Sequence, residues 1–129
     1  MKAIRIEPGD RDYPIIRSGF PPIDDSLVFY ALGDPGILHH PLLGLICSIQ
    51  CPGGIVIKTF DFIRRLRDEK VVVIGGFHSP MERDCLDFLL RGNQPVILCP
   101  ARSLRNLRMG GEARKAVSGR PAAGAVRLR

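Results

Sequence analysis

Tryptophan and long apolar segments are both missing from this sequence. Its 129 residues include two tyrosines and six phenylalanines, and no run reaches 18 apolar residues. A membrane-spanning helix needs about 20 such residues, so association with a membrane is not expected. The first residues, MKAIRIEPGDRD, lack the apolar region of a signal peptide. We therefore expect a cytoplasmic protein.

Metal-binding and catalytic patterns are also lacking. Cysteines occupy positions 47, 51, 85 and 99, and Cys47 and Cys51 have no second pair at zinc-finger spacing. Cysteines in such a pattern behave as reduced, buried small hydrophobes. The chain contains no recognisable combination of a nucleophile, its base and a residue that orients the base. The sequence therefore predicts a non-catalytic protein that needs no metal or cofactor.

Only the C-terminal part of the chain is poor in acidic residues. Residues 1–100 hold 11 Lys/Arg against 12 Asp/Glu, a net charge of −1, whereas residues 101–129 hold 8 against 1, a net charge of +7. The formal charge of +6 is thus confined to a tail that is rich in Ala, Gly and Arg. We expect residues 110–129 to be disordered and to make electrostatic contacts, for example with phosphate backbones.

One stretch shows the full pattern of a strand, a helix and a second strand. Val71–Ile74 is a short β-branched run, as expected of a buried parallel strand. Ser79 followed by a proline and by Glu82 predicts a helix that starts with a capping box. Gly92 is predicted to end this helix in the left-handed conformation, and Pro95–Cys99 returns to the sheet.

A second unit of the same kind precedes the first. Gly44–Ile49 is predicted as a parallel strand, and Ile55–Asp68 has the apolar stripe of a helix. The sequence thus predicts an α/β domain with a mainly parallel sheet of about four strands. At 14.2 kDa, one domain is expected. Its parts are an extended leader (1–43) packed on the domain, a core (44–109) and the basic tail (110–129).

Three loops should meet where the parallel strands end. The strand-to-helix turns 48–54 and 75–79 are joined there by residues 99–102, and open α/β sheets bind ligands at this edge. The candidate ligand-binding or phosphate-binding residues are Ser48, Cys51, Gly53, Gly54, Gly75, Gly76, Phe77, His78, Ser79, Glu82 and Arg102.

Each of these residues also has a purely structural interpretation. Glu82 is better explained by the capping box than by acid–base chemistry. His78 contacts phosphate or is an ordinary loop histidine. Arg102 pairs with a phosphate or simply begins the basic tail. Glycines after Pro52 offer N–H groups to an anion, or make an ordinary turn.

Several short motifs, in this order, resemble one known family. They are Tyr13-Pro14, Pro21-Pro22, the segment LVFYALGD from Leu27 to Asp34, GLICSIQCPG from Gly44 to Gly53, GFHSPME from Gly76 to Glu82, and the strand Pro95–Cys99. Together they are similar to the DNA-processing protein A family (DprA, also called Smf), over about residues 10 to 102. Ser48 matches the family's Gly-Ser-Arg turn, whereas Ile49 and Ser79 stand where the family has arginine.

The resemblance implies a Rossmann-like three-layer sandwich of the SLOG group. It implies a DNA-processing domain that binds single-stranded DNA or a nucleotide-derived ligand without catalysis, with a recombinase as a further partner. One alternative is a lysine-decarboxylase-like phosphoribohydrolase acting on nucleoside monophosphates, whose Pro-Gly-Gly motif is matched only in its first half by residues 52–54. Another is a domain that acts through protein contacts alone. An exposed edge strand would in addition favour a homodimer.

Overall fold

Both predicted helices form, and each leads into a buried strand. The computed structural model describes residues 3–13 and 27–101, and the backbone of residues 123–128. The strands are β1 (Ile4–Ile6), β2 (Phe29–Leu32), β3 (Leu42–Gly44), β4 (Val72–Gly75), β5 (Val96–Leu98) and β6 (Ala123–Leu128). The helices are a 3-10 helix (Pro35–His39), α1 (Gly53–Asp68) and α2 (Pro80–Leu90). The chain therefore has a mixed α/β fold, as expected.

Three consecutive parallel strands form the part of the sheet that carries the helices. The strand order is β1-β2-β6-β5-β4-β3. β3 pairs with β4 and β4 with β5, both in parallel, so β3-α1-β4 and β4-α2-β5 are the two predicted units. β6 is parallel to β5, while β2 is antiparallel to both β6 and β1. The prediction of about four strands is thus corrected: three parallel strands carry the helices, and six make up the sheet.

Both α-helices lie on the same face of the sheet. Val73 and Val96 point into a core with Ile63 of α1 and Cys85 and Leu89 of α2. Because β3, β4 and β5 follow one another in one direction across the sheet, two crossovers of the same hand bring both helices to one side.

The opposite face is covered differently. Val72 and Ile97, which alternate with the residues of the first core, pack with Ile37 of the 3-10 helix, and the Tyr13 ring lies against this second core. Among the described residues, no α-helix covers this face. The three-layer arrangement is therefore not part of the described structure, because a second helical layer requires the strand order to reverse.

The first parallel strand is shorter and earlier than predicted. It spans Leu42–Gly44 instead of residues 44–49, and its three residues pair with Val72–Ile74. The Leu45 N–H still donates to the Ile74 carbonyl at 2.9 Å, but β4 ends at the next residue. The chain then has no strand to pair with on that side, so residues 46–49 leave the sheet although three of the four are apolar.

The leader and the tail contribute strands of their own. β1 and β2 come from the predicted leader and are hydrogen-bonded into the sheet, so part of residues 1–43 belongs to the domain itself. β6 comes from the predicted tail and lies between β2 and β5. The predicted disorder therefore does not extend to residues 123–128; the tail's residues 110–122 and 129 lie outside the described part of the chain.

The start of α2 follows the prediction, but its end does not. Ser79 is the N-cap, and the capping box with Glu82 is complete. Gly92 was expected in the left-handed conformation, yet it has no positive φ, and the C-cap residue Arg91 is right-handed helical with φ −77°. A Cβ on Gly92 would lie 2.4 Å from Cγ of Arg67. The glycine is thus needed for close packing of the two helix ends.

Candidate functional site

The loops that follow β3, β4 and β5 meet at one edge of the sheet. The Leu45 N–H donates to the Ile74 carbonyl at 2.9 Å, and the Cys99 N–H donates to the Gly75 carbonyl at 2.8 Å. These hydrogen bonds hold the start of segment 45–52 and residues 99–101 on either side of loop 76–79. The edge at which parallel strands end is thus built as the sequence predicts.

Two consecutive glycines lie where β4 leads into its loop. A Cβ on Gly75 would lie 3.0 Å from the Leu45 carbonyl oxygen, so a larger residue there would push the segments after β3 and β4 apart. A Cβ on Gly76 would lie 2.6 Å from Cδ2 of His78, so a larger residue there would displace the His78 side chain of the same loop. Both predicted residues are therefore at the site: Gly75 allows two segments to pack, and Gly76 leaves room for His78.

Phe77 and His78 point in different directions from the same loop. Phe77 has φ 52°, a left-handed conformation that is unfavourable for a bulky side chain, and its ring is buried in the core shared with the helices. His78 is exposed, and its carbonyl accepts hydrogen bonds from Nε and Nη2 of Arg83 at 3.2 and 2.8 Å. Phe77 anchors the loop, which leaves His78 as the residue that can meet a ligand.

The N-terminus of α2 is already occupied by the protein's own carboxylate. Glu82 is buried, and its Oε2 accepts hydrogen bonds from the N–H of Ser79 at 3.2 Å and from the Ser79 hydroxyl. The Glu82 N–H in turn donates to the Ser79 oxygen at 3.3 Å. Both candidates therefore cap the helix, in line with their structural interpretation, and an external anion would have to compete with a fixed negative charge.

The N-terminus of α1 is open by comparison. Its N-cap is Pro52, which makes no side-chain capping bond, and its first turn contains no acidic residue. Gly53 and Gly54 are exposed, and a Cβ on either would have no other described atom within 4 Å. Backbone N–H groups of a helix start without a cap carry partial positive charge and attract anions. This helix end is the part of the site that best fits a phosphate.

Three cysteines lie together between segment 45–52 and α2. Cys47 and Cys51 pack against the core that contains Cys85. Burial and then the neighbouring Cys47 raise the pKa of Cys85 to about 12. Burial and then the Glu82 carboxylate raise the pKa of Cys47. These two thiols stay protonated at neutral pH, which disfavours nucleophilic chemistry by them.

Ser48 and Cys51 belong to a tight turn before α1. Ser48 is exposed, and its carbonyl accepts a hydrogen bond from the Cys51 thiol at 3.3 Å. All four described cysteines are free. Across residues 3–13, 27–101 and 123–128, no group of three or more His, Cys, Asp or Glu residues is placed to hold a metal ion.

Most of the predicted site residues are therefore near one edge, with different roles. Gly53, Gly54 and His78 are exposed there, whereas Gly75, Gly76, Phe77, Ser79 and Glu82 shape the loop and the start of α2. Arg102 lies outside the described residues. Sequence reasoning missed Arg83, whose position four residues after the N-cap allows it to reach back to the loop. It also missed the contact between Cys47 and Cys85, which are far apart in sequence.

Comparison with known proteins does not assign the chain to a family. No protein-family model matches the chain, and neither does any curated protein. None of the helices within the described ranges is both long and apolar enough to span a membrane.

Proposed function

We propose that this protein binds a phosphate-bearing ligand, single-stranded DNA or a nucleotide-derived molecule, at the edge where β3, β4 and β5 end. The observation that carries the proposal is the uncapped, acid-free start of α1 beside the loop that follows β4. Phosphate is the expected ligand group because exposed N–H groups at a helix start favour anions. Binding without turnover is proposed.

The surrounding residues support an anion at this place. Gly53 and Gly54 leave the backbone accessible, so a ligand oxygen can approach the N–H groups closely. The guanidinium of Arg83 is held at the neighbouring loop by the His78 carbonyl, and it adds a positive charge to the same edge. An arginine at this loop partly compensates for the family arginines that Ile49 and Ser79 replace.

A DprA-like role and a Rossmann-like fold of the SLOG group are part of the same proposal. They are supported by the ordered motifs of the sequence and by three consecutive parallel strands joined through two helices. Residues 101–129, which carry a net charge of +7, would add contacts to the backbone of a longer ligand. Single-stranded DNA should then bind more tightly than a mononucleotide, with an affinity that falls steeply with salt.

The decisive variant is Gly54→Asp, tested by fluorescence anisotropy with labelled single-stranded DNA and with a mononucleotide as competitor. A carboxylate in the first turn of α1 would compete with the ligand for the N–H groups, so we expect roughly tenfold weaker binding, or about 1.4 kcal/mol. The same carboxylate should stabilise the helix by about 0.3 to 1 kcal/mol, so a loss of binding could not be attributed to unfolding.

Gly54→Ala is the matched control, because it adds a methyl group without charge at a position with free space. It should weaken binding much less than Gly54→Asp does, because its methyl group adds bulk near the N–H groups but no competing negative charge. Equal binding by Gly54→Asp and by the control would contradict the proposed site. Release of a free base from the mononucleotide during the same titration would instead support the phosphoribohydrolase alternative.

A further inference from the structure

Three cysteines that are separated in sequence meet where segment 45–52 contacts α2. Cys47 and Cys51 lie between β3 and α1, and Cys85 lies in the middle of α2. The first two pack against the core that contains the third, and all three are free thiols. The proposed function uses none of these sulfur atoms, although thiols brought together in this way can react with each other.

The backbone directs Cys47 towards α2. The Leu45 N–H donates a hydrogen bond of 2.9 Å to a carbonyl of β4, which fixes the start of the segment. Leu45 and Cys47 pack against the same core, as residues two apart do in an extended chain. On the side of α2, Cys85 enters this core together with Met81 and Leu89, which lie one turn before and one turn after it.

Of the three thiols, Cys47 and Cys85 are the pair in direct contact. A hydrogen bond joins their side chains. The Cys51 thiol is directed elsewhere, because it donates to the Ser48 carbonyl at 3.3 Å within its own turn. A disulfide needs two side chains that face each other and an S–S distance of about 2.05 Å. The hydrogen-bonded pair already faces each other and needs only a closer approach of the sulfur atoms.

The two thiols of this pair differ in accessibility. Cys47 is half-buried in a segment outside the sheet, whereas Cys85 is fully buried in the core. A reagent in solution therefore reaches Cys47 first. Burial is the main cause that raises the pKa of both thiols, so few are ionised at neutral pH and thiol exchange is slow. The pair should thus stay reduced until an oxidant is present in excess.

We propose that Cys47 and Cys85 form a reversible disulfide, with a low-molecular-weight disulfide as the oxidant. The Cys47 sulfur attacks one sulfur of this reagent, which releases one small thiol with the Cys47 proton and leaves a mixed disulfide on Cys47. The Cys85 sulfur then attacks the Cys47 sulfur, the mixed disulfide breaks, and a second small thiol leaves with the Cys85 proton. In total, two protein thiols are oxidised and one small disulfide is reduced to two thiols.

This bond would change the stability of the domain with the redox conditions. It closes the chain between residues 47 and 85, a loop that contains α1 and β4. Closing such a loop restricts the unfolded chain, so the oxidised protein should be the more stable form. In reducing compartments, disulfides of this kind are usually transient and redox-sensing. The inference does not rest on ligand binding, so it stands or fails separately from the proposed function.

The test is peptide mapping of the full-length protein after incubation with glutathione disulfide at about pH 8.5, where a larger fraction of the thiols is ionised. Remaining thiols are then alkylated, and the protein is digested with trypsin without reduction. Cleavage after Lys and Arg leaves Cys47 and Cys51 on one peptide, residues 18–58, and Cys85 on another, residues 84–91. We expect these two peptides to be joined, and to separate when the sample is reduced.

Two variants identify which cysteine of peptide 18–58 forms the bond. Cys47→Ser should abolish the cross-link, whereas Cys51→Ser, the matched control in the same segment, should retain it. Thermal unfolding gives a second readout, and the reduced forms show that both variants fold. Oxidation should raise the unfolding temperature of the unmodified protein and of Cys51→Ser by at least roughly 5 °C, and that of Cys47→Ser not at all.

Several results of these two measurements would overturn the inference. They are a bond within peptide 18–58, a mixed disulfide that persists on Cys47, and thiols that stay unmodified in excess oxidant. A cross-link that survives Cys47→Ser would overturn it as well. So would a cross-linked protein that is no more stable than its reduced form.

Discussion

Gln94 is the residue whose environment is least expected from its chemistry. It is only 4% exposed, and among the described residues neither its amide nitrogen nor its amide oxygen has a hydrogen-bond partner. A Cβ on Gly92 would lie 2.2 Å from the Gln94 oxygen, so the amide is pressed against the turn after α2. Burial of an unpartnered amide costs roughly 1 to 3 kcal/mol. No local sequence pattern predicts this burial, because a glutamine beside Pro95 normally indicates an exposed turn.

Replacing Gln94 by methionine should therefore stabilise the protein. Methionine has a similar length and no polar atoms to desolvate, so we expect the free energy of unfolding to rise by about 1 to 2 kcal/mol. Urea denaturation followed by circular dichroism measures the change. Gln50→Met, at an exposed position, is the control and should have little effect. A less stable Gln94→Met protein would show that the amide has a partner in solution.

At the scale of single elements, helix starts were easier to predict than helix ends. The capping box of α2 is local, because Ser79 and Glu82 contact each other within one turn, and the sequence pattern is sufficient to identify it. Gly92 also has the usual sequence signal for a helix end, yet its role is to pack against Arg67. That contact depends on how α1 and α2 are placed, which no local pattern contains.

A residue in the left-handed conformation does end a helix, but it is Lys70, which follows α1. This residue has φ 59°. The N–H of Val71 donates to the Leu66 carbonyl at 3.0 Å, and the N–H of Lys70 donates to the Arg67 carbonyl at 3.3 Å. These two bonds form a Schellman motif, which usually has glycine at the left-handed position. The sequence signal was missing because a lysine occupies that position.

Lys70→Gly should remove this conformational strain. A left-handed residue with a side chain costs roughly 1 to 2 kcal/mol, part of which glycine loses again through its greater freedom when unfolded. We expect the free energy of unfolding to rise by about 0.5 to 1 kcal/mol in urea denaturation. Lys58→Gly, at an exposed position within α1, should lower it by about 1 kcal/mol. Equal effects of the two substitutions would argue against the motif.

At the scale of the whole molecule, the chain ends determine how the sheet is completed. The sequence identified the two units around α1 and α2 because their periodicity is local. It did not identify β6, since AGAVRL lies in an Ala-, Gly- and Arg-rich segment whose composition is typical of disorder. This strand pairs with β2 and β5, which are far away in sequence, and its formation depends on them. The position of the candidate site was also predictable from local patterns, because its loops directly follow the strands of these two units.

The position of β6 makes a proline substitution near the C-terminus informative. Ala125 pairs with Leu32 on one side and with Leu98 on the other, so its N–H belongs to an interior ladder. Proline there removes a donor and is poorly tolerated between two strands. Ala125→Pro should lower the free energy of unfolding by roughly 2 to 4 kcal/mol. Ala101→Pro, at an exposed bend, should lower it by much less. Equal stability of both variants would mean that the sheet is complete without the C-terminal segment, and that β1 and β2 are held to β5 in some other way.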